Sequence, residues 1–366
     1  MEPLSVAMLG VGTARPAGSI AQCDAAEIAK TFCTPTARQA RLLPTLYGRT
    51  GVKRRGSVLL DPLAAIARGP VFFPPAQRSG DRGPTTRQRM TRYATEAAPL
   101  ALDASRRALR DAALEAHALT QVITVSCTGF AAPGVEIALI KHLGCEPTVG
   151  RTHVGFMGCH GAFNALRVAA ALARSEASAR ILLCSVELCS LHFAYGWDPK
   201  RLVANALFAD GSAALVLAPM AQPPASVWTL SASGSCLFPD AEDAMTWRIG
   251  DHGFEMTLSP RVPSLIRSHL RGWLIPWLAR QDLSVERIDS WAIHPGGPRI
   301  LEAVADGLGL PPEATATSAE ILAECGNMSS ATLGFILERL RRGGAGRPCL
   351  ALGFGPGLVV EAALFL

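Results

Sequence analysis

The feature that most constrains the fold of this chain is an internal repeat. Each half contains a buried strand that ends in a turn, then a tight turn that opens a helix, and then a second apolar strand. In the first half these segments are QVITVSCTG (121–129), GCHGAFNALRVAAALAR (158–174) and RILLCSVE (180–187). In the second half they are DSWAIHPGG (289–297), GNMSSATLGFILERLRR (326–342) and RPCLALGFG (347–355). A chain with this pattern is expected to fold into two similar halves.

The spacing within the repeat supports that expectation. Cys127 precedes Cys159 by 32 positions, and His294 precedes Asn327 by 33. Alternating buried strands and helices predict an α/β fold in which helices pack against the faces of a sheet. The predicted pseudo-symmetric halves are residues 1–219 and residues 220–366.

The segments between the repeats are less regular. Apolar strands are predicted at 211–219 and 355–366, where they close the two halves. Residues 220–235 are interpreted as a connector between the halves. Residues 70–92 are rich in proline, glycine and arginine, which predicts an exposed basic loop before a helix at about 93–112.

The composition is typical of a compact soluble protein. Hydrophobic residues make up 49% of the 366 residues, charged residues make up 18%, and the net charge of +5 is too small to indicate a nucleic-acid partner. The ten cysteines form no CxxC pair, which is typical of reduced thiols in the cytoplasm. No apolar run reaches the ~18–20 residues that span a bilayer. The histidines show no HExxH pattern, so we expect no metal site.

Pseudo-twofold pairing of the halves predicts a reactive site. It sets the turn at Cys159 beside the turn at Asn327, and the strand ends at Cys127 and His294 near one another. A thiol at a helix N-terminus is biased toward the thiolate, and a histidine partner stabilises it as an ion pair. An asparagine amide can hold a developing oxyanion or enolate. His160 is expected to be a packing or surface histidine, because adjacent helix positions do not face each other.

The motifs of this site resemble a known family. GC (158–159), HPGGPRIL (294–301), GNMSS (326–330) and GFGPG (353–357) occur in the order found in type III polyketide synthases, the chalcone-synthase-like enzymes, and the short termini and SCTGF favour the bacterial branch. The resemblance implies a thiolase-like αβαβα layered fold, a homodimer, and catalytic roles for Cys159, His294 and Asn327. It also implies acyltransferase activity with acyl-CoA and malonyl-CoA as substrates, without another cofactor.

The resemblance also implies a reaction sequence. Cysteine accepts a starter acyl group from CoA, malonyl-CoA loses CO₂ while histidine and asparagine hold its thioester carbonyl, and the resulting carbanion attacks the bound chain. Repeated rounds end in cyclisation. Departures from the plant pattern around the cavity lead us to expect a fatty acyl starter and an alkylpyrone or alkylresorcinol product.

The family pattern assigns further residues to substrate binding. The predicted gate residues are Phe208 and Met256, and methionine at the second gate is adaptable enough to admit long chains. The predicted cavity-wall and CoA-binding residues are Cys127, His192, Trp247, Ser329, Gly296, Gly297 and Arg49. His192 is expected either to narrow the pocket or to hydrogen-bond a polyketide oxygen. The Ala132–Pro133 loop, with a cis peptide bond, is expected to reach the cavity of the partner subunit.

Two other interpretations use the same residues. A ketosynthase III-like condensing enzyme has cysteine, histidine and asparagine on this fold but takes malonyl units from acyl carrier protein; HPGGP and GNMSS argue against it. A non-catalytic acyl-binding partner with the same fold would lack one or more of the three residues.

Overall fold

The computed structural model describes residues 5–33, 36–60, 71–78 and 80–366. Its strands are β1 (Ser5–Ala14), β2 (Ser19–Ala21), β3 (Arg54–Gly56), β4 (Gln121–Ser126), β5 (Gly150–Gly155), β6 (Ile181–Leu188), β7 (Asp210–Met220), β8 (Trp228–Leu237), β9 (Met245–Gly250), β10 (Gly253–Leu258), β11 (Ser290–Ile293), β12 (Cys349–Gly355) and β13 (Val359–Phe365). Its α-helices are α1 (Gln22–Cys33), α2 (Ala37–Gly48), α3 (Thr86–Asp111), α4 (Val135–Leu143), α5 (Gly161–Ser175), α6 (Pro199–Leu207), α7 (Val262–Ala279), α8 (Pro298–Leu308), α9 (Ala316–Cys325) and α10 (Thr332–Arg342).

Nine strands form one continuous sheet whose order repeats itself. The order is β11-β12-β13-β8-β1-β7-β6-β4-β5. In the first unit β1 pairs antiparallel with β7, β7 antiparallel with β6, and β6 parallel with β4. In the second unit β8, β13, β12 and β11 pair in the same way. The units meet where β1 pairs antiparallel with β8. The repeat in the sequence therefore corresponds to a repeated strand topology.

The helices pack in three layers around the two parts of the sheet. Helices α5 and α10 bury their apolar faces in one core together with strands of both units. Helices α3 and α4 cover the outer face of the first unit, and α7 and α8 cover the outer face of the second. This αβαβα arrangement is the thiolase-like fold, so the fold prediction is confirmed. None of the described helices has both the length and the apolar character that crossing a bilayer requires.

The predicted basic loop at 70–92 is wrong in its second part. Helix α3 begins at Thr86, because Thr85 and Gln88 form a capping box in which each side chain accepts a hydrogen bond from the other residue's backbone N–H. Arg89 lies within this helix and is fully buried. Its guanidinium donates to the carbonyls of Pro84, Leu191 and Phe193 at 2.9, 2.6 and 3.0 Å, which replace the water it would otherwise bind. Residues 70 and 79 of the predicted loop lie outside the described residues.

The predicted connector at 220–235 is also wrong in part. Strand β8 begins at Trp228, inside that segment, and pairs with both β1 and β13. Trp228 is buried against Phe365, with ring centroids 6.1 Å apart. The sheet of the second half therefore begins inside the segment that the sequence pattern assigned to the connector.

Candidate active site

Cys159 is presented by a tight turn in front of α5. Residues Gly158–His160 form a 3₁₀ turn, and Gly158 has φ 76°. A Cβ on Gly158 would lie 2.4 Å from Cδ of Pro356, so both the backbone conformation and the close packing require glycine. Burial raises the pKa of Cys159 to about 12, although the nearby side chains of Ser329 and Asn327 act to lower it. Burial therefore outweighs the predicted bias of this thiol toward the thiolate.

Asn327 is fixed by its own backbone and by its side-chain oxygen. Its N–H donates to the carbonyl of Leu207 and its carbonyl accepts from Ala209 N–H, both at 2.9 Å. The side-chain Oδ1 accepts from the backbone N–H of Ser329 at 2.8 Å. Because Oδ1 is occupied, the amide presents Nδ2 as its donor to the sulfur of Cys159 or to a substrate oxygen.

His294 follows the end of β11 and has no hydrogen-bond partner on its ring. Its backbone N–H donates to the carbonyl of Leu352 at 2.8 Å, which extends the ladder between β11 and β12. The ring is 1% exposed, and neither Nδ1 nor Nε2 has a hydrogen-bond partner among the described residues. Burial is the main reason why the pKa of His294 is lowered to about 3, and the positive charge of a protonated His160 is the smaller reason. The ring is therefore a neutral imidazole with free hydrogen-bonding capacity.

The three residues meet in one small chamber. Cys159, His294 and Asn327 line a space of about 20 Å³, which Gly296, Phe208 and Met256 also line. Cys159, Phe208 and Met256 also line a large cavity of about 810 Å³. The two predicted gate residues and the thiol thus lie where the chamber meets the cavity.

The other predicted wall residues line the large cavity. Cys127, His192, Trp247 and Ser329 all face it. Trp247 lies on β9 opposite Met256 on β10, and its Nε1–H donates to the carbonyl of Cys127 at 2.7 Å. This hydrogen bond fixes the indole as part of the wall.

Both ring nitrogens of His192 are hydrogen-bonded to backbone groups. Nε2–H donates to the carbonyl of Thr128 at 2.7 Å, and Nδ1 accepts from the backbone N–H of Phe254 at 2.9 Å. The ring stacks on Phe254 with centroids 4.3 Å apart and meets Trp247 edge-on at 5.5 Å. Burial lowers the pKa of His192 to about 3. Of the two expected roles, the geometry favours narrowing of the pocket, because no ring nitrogen is left for a polyketide oxygen.

Three predicted sites lie away from the large cavity. Gly297, with φ 143°, lies against Leu207 and contacts neither space. Arg49 is exposed at the end of α2 and does not line the cavity, whereas Arg55, Arg82, Arg92 and Arg201 do. The Ala132–Pro133 bond is cis, as expected, and both residues are exposed outside this chain's own cavity.

Glu187 is a buried carboxylate that the sequence reasoning missed. It accepts hydrogen bonds from Thr128 Oγ1 at 2.7 Å, from Cys127 N–H at 3.1 Å and from Ser330 Oγ. Burial raises its pKa. Its signal in the sequence is a single acidic residue at the end of the apolar strand ILLCSVEL. The carboxylate ties the Cys127 strand end to the turn before α10.

Arg55 is a second residue that the sequence reasoning did not place. Its guanidinium lies over the ring of Tyr47 and donates to the carbonyl of Phe208 at 3.0 Å and to that of Asn205. Because these are backbone contacts, Arg55 holds the segment that carries the Phe208 gate.

Comparison with known proteins agrees with this geometry. The family model for chalcone and stilbene synthases, N-terminal domain, matches residues 4–221, and the model for their C-terminal domain matches residues 229–366. The alpha-pyrone synthesis polyketide synthase-like protein Pks18 of Mycobacterium tuberculosis is 35% identical over 374 residues, covering 99% of this chain and 92% of Pks18. The 1,3,6,8-tetrahydroxynaphthalene synthase of Streptomyces peucetius is 33% identical, covering 97% of this chain and 91% of that protein.

Solved structures show the same relationship. PKS-I from the brown alga Ectocarpus siliculosus superposes with a TM-score of 0.93 at 30% identity, covering 100% of this chain and 99% of that one. The type III polyketide synthase domain of Steely1 from Dictyostelium superposes with a TM-score of 0.86 at 27% identity, covering 99% of both chains. The chain therefore belongs to the chalcone and stilbene synthase family and is a type III polyketide synthase, an acyltransferase.

Proposed function

We propose that this enzyme loads a fatty acyl group from CoA onto Cys159, extends it with malonyl-CoA and releases an alkylpyrone or alkylresorcinol. The observation that carries the starter class is the cavity of about 810 Å³. Its lining includes apolar side chains of β2, of α1 and of residues 71–73, namely Ile20, Ala25, Ile28, Ala29, Phe32, Val71, Phe72 and Phe73. An apolar wall of this kind suits an alkyl chain better than a polar starter.

The proposed first step is acyl transfer to Cys159. Its thiol proton moves to His294, and the sulfur attacks the thioester carbonyl of the acyl-CoA. A carbon–sulfur bond to Cys159 forms, the bond to the CoA sulfur breaks, and the CoA thiolate takes up the proton. Burial favours the neutral forms of both Cys159 and His294, so we propose that the proton moves between them as one event when substrate excludes water.

The proposed second step is decarboxylative condensation. Malonyl-CoA loses CO₂, and the electron pair left on its α-carbon delocalises onto the thioester oxygen as an enolate. We expect His294 and Asn327 Nδ2 to donate hydrogen bonds to this oxygen, because both groups line the chamber and neither His294 nitrogen has another partner. The carbanion then attacks the acyl carbon on Cys159; the new carbon–carbon bond forms as the bond to Cys159 breaks.

The proposed product class rests on the wall and on the relatives. His192 and Trp247 are held by hydrogen bonds to backbone groups and form a rigid wall, which limits how far a growing chain can extend. The relative Pks18 is named for alpha-pyrone synthesis. Lactone closure of a short extended chain to an alkylpyrone is consistent with both.

The remaining predictions complete the proposal. Arg49, exposed on α2, is proposed to contact CoA phosphates. Gly297, whose φ of 143° favours glycine, is proposed to shape the turn that carries His294. The exposed Ala132–Pro133 loop is proposed to reach the partner's cavity in a homodimer; exposed Phe130 beside it supports an apolar interface. We propose that CoA thioesters are the only small molecules the reaction needs.

The test is mass spectrometry of products from purified protein. The enzyme receives malonyl-CoA and a panel of acyl-CoA starters from acetyl to stearoyl, with benzoyl-CoA and coumaroyl-CoA as compact and aromatic controls. Triketide or tetraketide pyrones or resorcinols from the long chains are expected. Product from the aromatic starters alone would contradict the fatty acyl assignment. Condensation that requires acyl carrier protein would favour the ketosynthase III-like alternative.

A further inference from the structure

His160 lies directly after the reactive cysteine and is 3% exposed, so it is a core residue of the site and not a surface histidine. Its Nδ1 lies 3.1 Å from Oδ1 of Asn164, one turn along α5. Nδ2 of Asn164 donates to Glu361 at 3.1 Å, and Glu361 also accepts from Ser235 and pairs with Arg167. This chain of hydrogen bonds runs from the reactive turn to a buried carboxylate on β13.

The chain of hydrogen bonds fixes the tautomer of His160. Because Nδ2 of Asn164 donates to a carboxylate, its Oδ1 faces His160 and can only accept. Nδ1 of His160 must therefore carry the hydrogen, and Nε2 is left as a lone pair. Nε2 is buried and has no hydrogen-bond partner. A buried acceptor without a donor requires a physical explanation.

The His160 ring packs on the same face of the sheet as His294. A Cβ on Gly355 would lie 2.4 Å from Nε2 of His160, so this edge of the ring packs directly on β12. Side chains alternate between faces along a strand. Ala292 and Ala351 face the central helix layer, whereas Ile293 and Leu352 face the outer one. The same alternation puts His294 and Gly355 on the central face, and β11, which carries His294 at its end, pairs directly with β12.

We propose that His160 is a positioning residue whose Nε2 accepts a hydrogen bond from the protonated form of His294, directly or across one buried water. This proposal rests on the proposed role of His294 as the proton acceptor from Cys159. A neutral acceptor beside an imidazolium stabilises that form and fixes the orientation of the ring. The Glu361–Asn164 pair keeps His160 in the tautomer that can do this. His160 thus links the reactive turn of one half to the histidine of the other.

The charged and titratable groups around His160 are few among the described residues. Arg167 on α5 and Glu361 on β13 form an ion pair behind Asn164. His294 lies on the same face at the end of β11, and Cys159 precedes His160 in the turn. The negative charge of Glu187 also acts on Cys159 and raises the pKa of its thiol. A pH profile of the reactive pair therefore reports mainly on His160 and these five groups.

The experiment measures the alkylation of Cys159 by iodoacetamide across a pH series, with the Cys159 peptide quantified by mass spectrometry. His160→Phe keeps an aromatic ring and removes both nitrogens, and His160→Gln keeps an acceptor. We expect His160→Phe to slow alkylation at neutral pH by about tenfold, equivalent to one unit in the apparent pKa of the pair. His160→Gln should restore most of the rate. Melting temperatures of both variants control for folding.

A second variant covers the case in which His160→Phe does not fold. Asn164→Ala releases the tautomer of His160 while the imidazole stays in place, and it should also slow alkylation at neutral pH. If His160→Phe or Asn164→Ala folds and its profile coincides with that of the wild type while His294→Ala slows the reaction, the proposal for His160 is overturned and the proposed function stands. If His294→Ala itself has no effect on alkylation or on malonyl-CoA decarboxylation, the proposed function fails.

Discussion

The two halves of the molecule share the same arrangement of strands and helices but differ in the residues that surround the two central turns. Gly158 and Gly326, with φ of 76° and 75°, each open a turn in front of a central helix. The first turn packs on β12 of the other half, and the turn before α10 packs on β6. The turn before α10 contacts the carboxylate of Glu187 near the end of β6, and the first turn contacts Gly355 at the end of β12.

The two strand ends differ in how their polar groups are hydrogen-bonded. Glu187 accepts hydrogen bonds from Cys127, Thr128 and Ser330, so these donors have their partner within the protein. At the strand end of the second half, both ring nitrogens of His294 lack a hydrogen-bond partner among the described residues. The donors around Glu187 are therefore fixed, whereas the His294 nitrogens are available to a substrate.

The largest effect on activity is expected at Cys159, the proposed nucleophile of the first half. Cys159→Ala removes the sulfur that holds the acyl chain, so condensation should fall by at least about 10³-fold. Cys184→Ala, a buried thiol on β6 outside the cavity, serves as the matched control and should retain activity. Product formation is measured with malonyl-CoA and dodecanoyl-CoA. Condensation by Cys159→Ala at the rate of the control would contradict the account.

The second-largest effect is expected for the two catalytic candidates of the second half. His294→Ala and Asn327→Ala each remove one proposed donor to the enolate oxygen, and each should slow malonyl-CoA decarboxylation by about 10²- to 10³-fold. His269→Ala, on α7 outside both cavities, is the control histidine. Release of CO₂ from labelled malonyl-CoA is the readout. Decarboxylation at the control rate in both variants would remove the assigned roles.

A third comparison replaces Glu187 and Gly355 separately by alanine. Glu187→Ala leaves the donors of Cys127, Thr128 and Ser330 without their acceptor, and it should lower the free energy of unfolding by about 2–4 kcal/mol. Gly355→Ala places a Cβ 2.1 Å from Cδ2 of His160 and should cost about 1–3 kcal/mol through overpacking.

Chemical denaturation measures both values, and Glu187→Gln controls for the loss of side-chain volume. Equal stability of Glu187→Ala and the wild type would show that the first half does not depend on this network.

The smallest effect on rate is expected at the cavity wall. Trp247→Gly and His192→Ser enlarge the space next to Cys127 without touching the chamber, so turnover should stay within about tenfold while product chain length or preferred starter shifts. His192→Ser also frees the Thr128 carbonyl and the Phe254 N–H, which His192 binds at 2.7 and 2.9 Å. Product profiles by mass spectrometry provide the measurement. An unchanged profile in both variants would mean that this wall does not set chain length.

Much of the site could be predicted because it follows from the repeat. Nearly equal spacing in the two halves brought Cys159, His294 and Asn327 together in the prediction, and the structure puts all three at one chamber. The alternation of apolar strands and helices predicted α/β layers, and the family resemblance implied their αβαβα arrangement. These signals are periodic, so a single sequence contains them.

The remaining features depend on contacts between distant backbone groups. The tautomer of His192 is set by the carbonyl of Thr128 and the N–H of Phe254, which no side-chain motif records. Arg89 lies in a segment whose composition is typical of an exposed loop, but it is buried among three carbonyls from two segments of the chain. The lone pair of His160 is defined only when Asn164 and Glu361 are seen together.

The central claim is that the first half holds the acyl chain and the second half activates malonyl-CoA. Peptide mass spectrometry after incubation with dodecanoyl-CoA alone, without malonyl-CoA, tests it most directly. The account predicts a dodecanoyl adduct on the Cys159 peptide of the wild type and of Asn327→Ala, with no adduct on Cys127. An adduct on another cysteine in place of Cys159, or no adduct on Cys159 in a preparation that condenses dodecanoyl-CoA once malonyl-CoA is added, would contradict it.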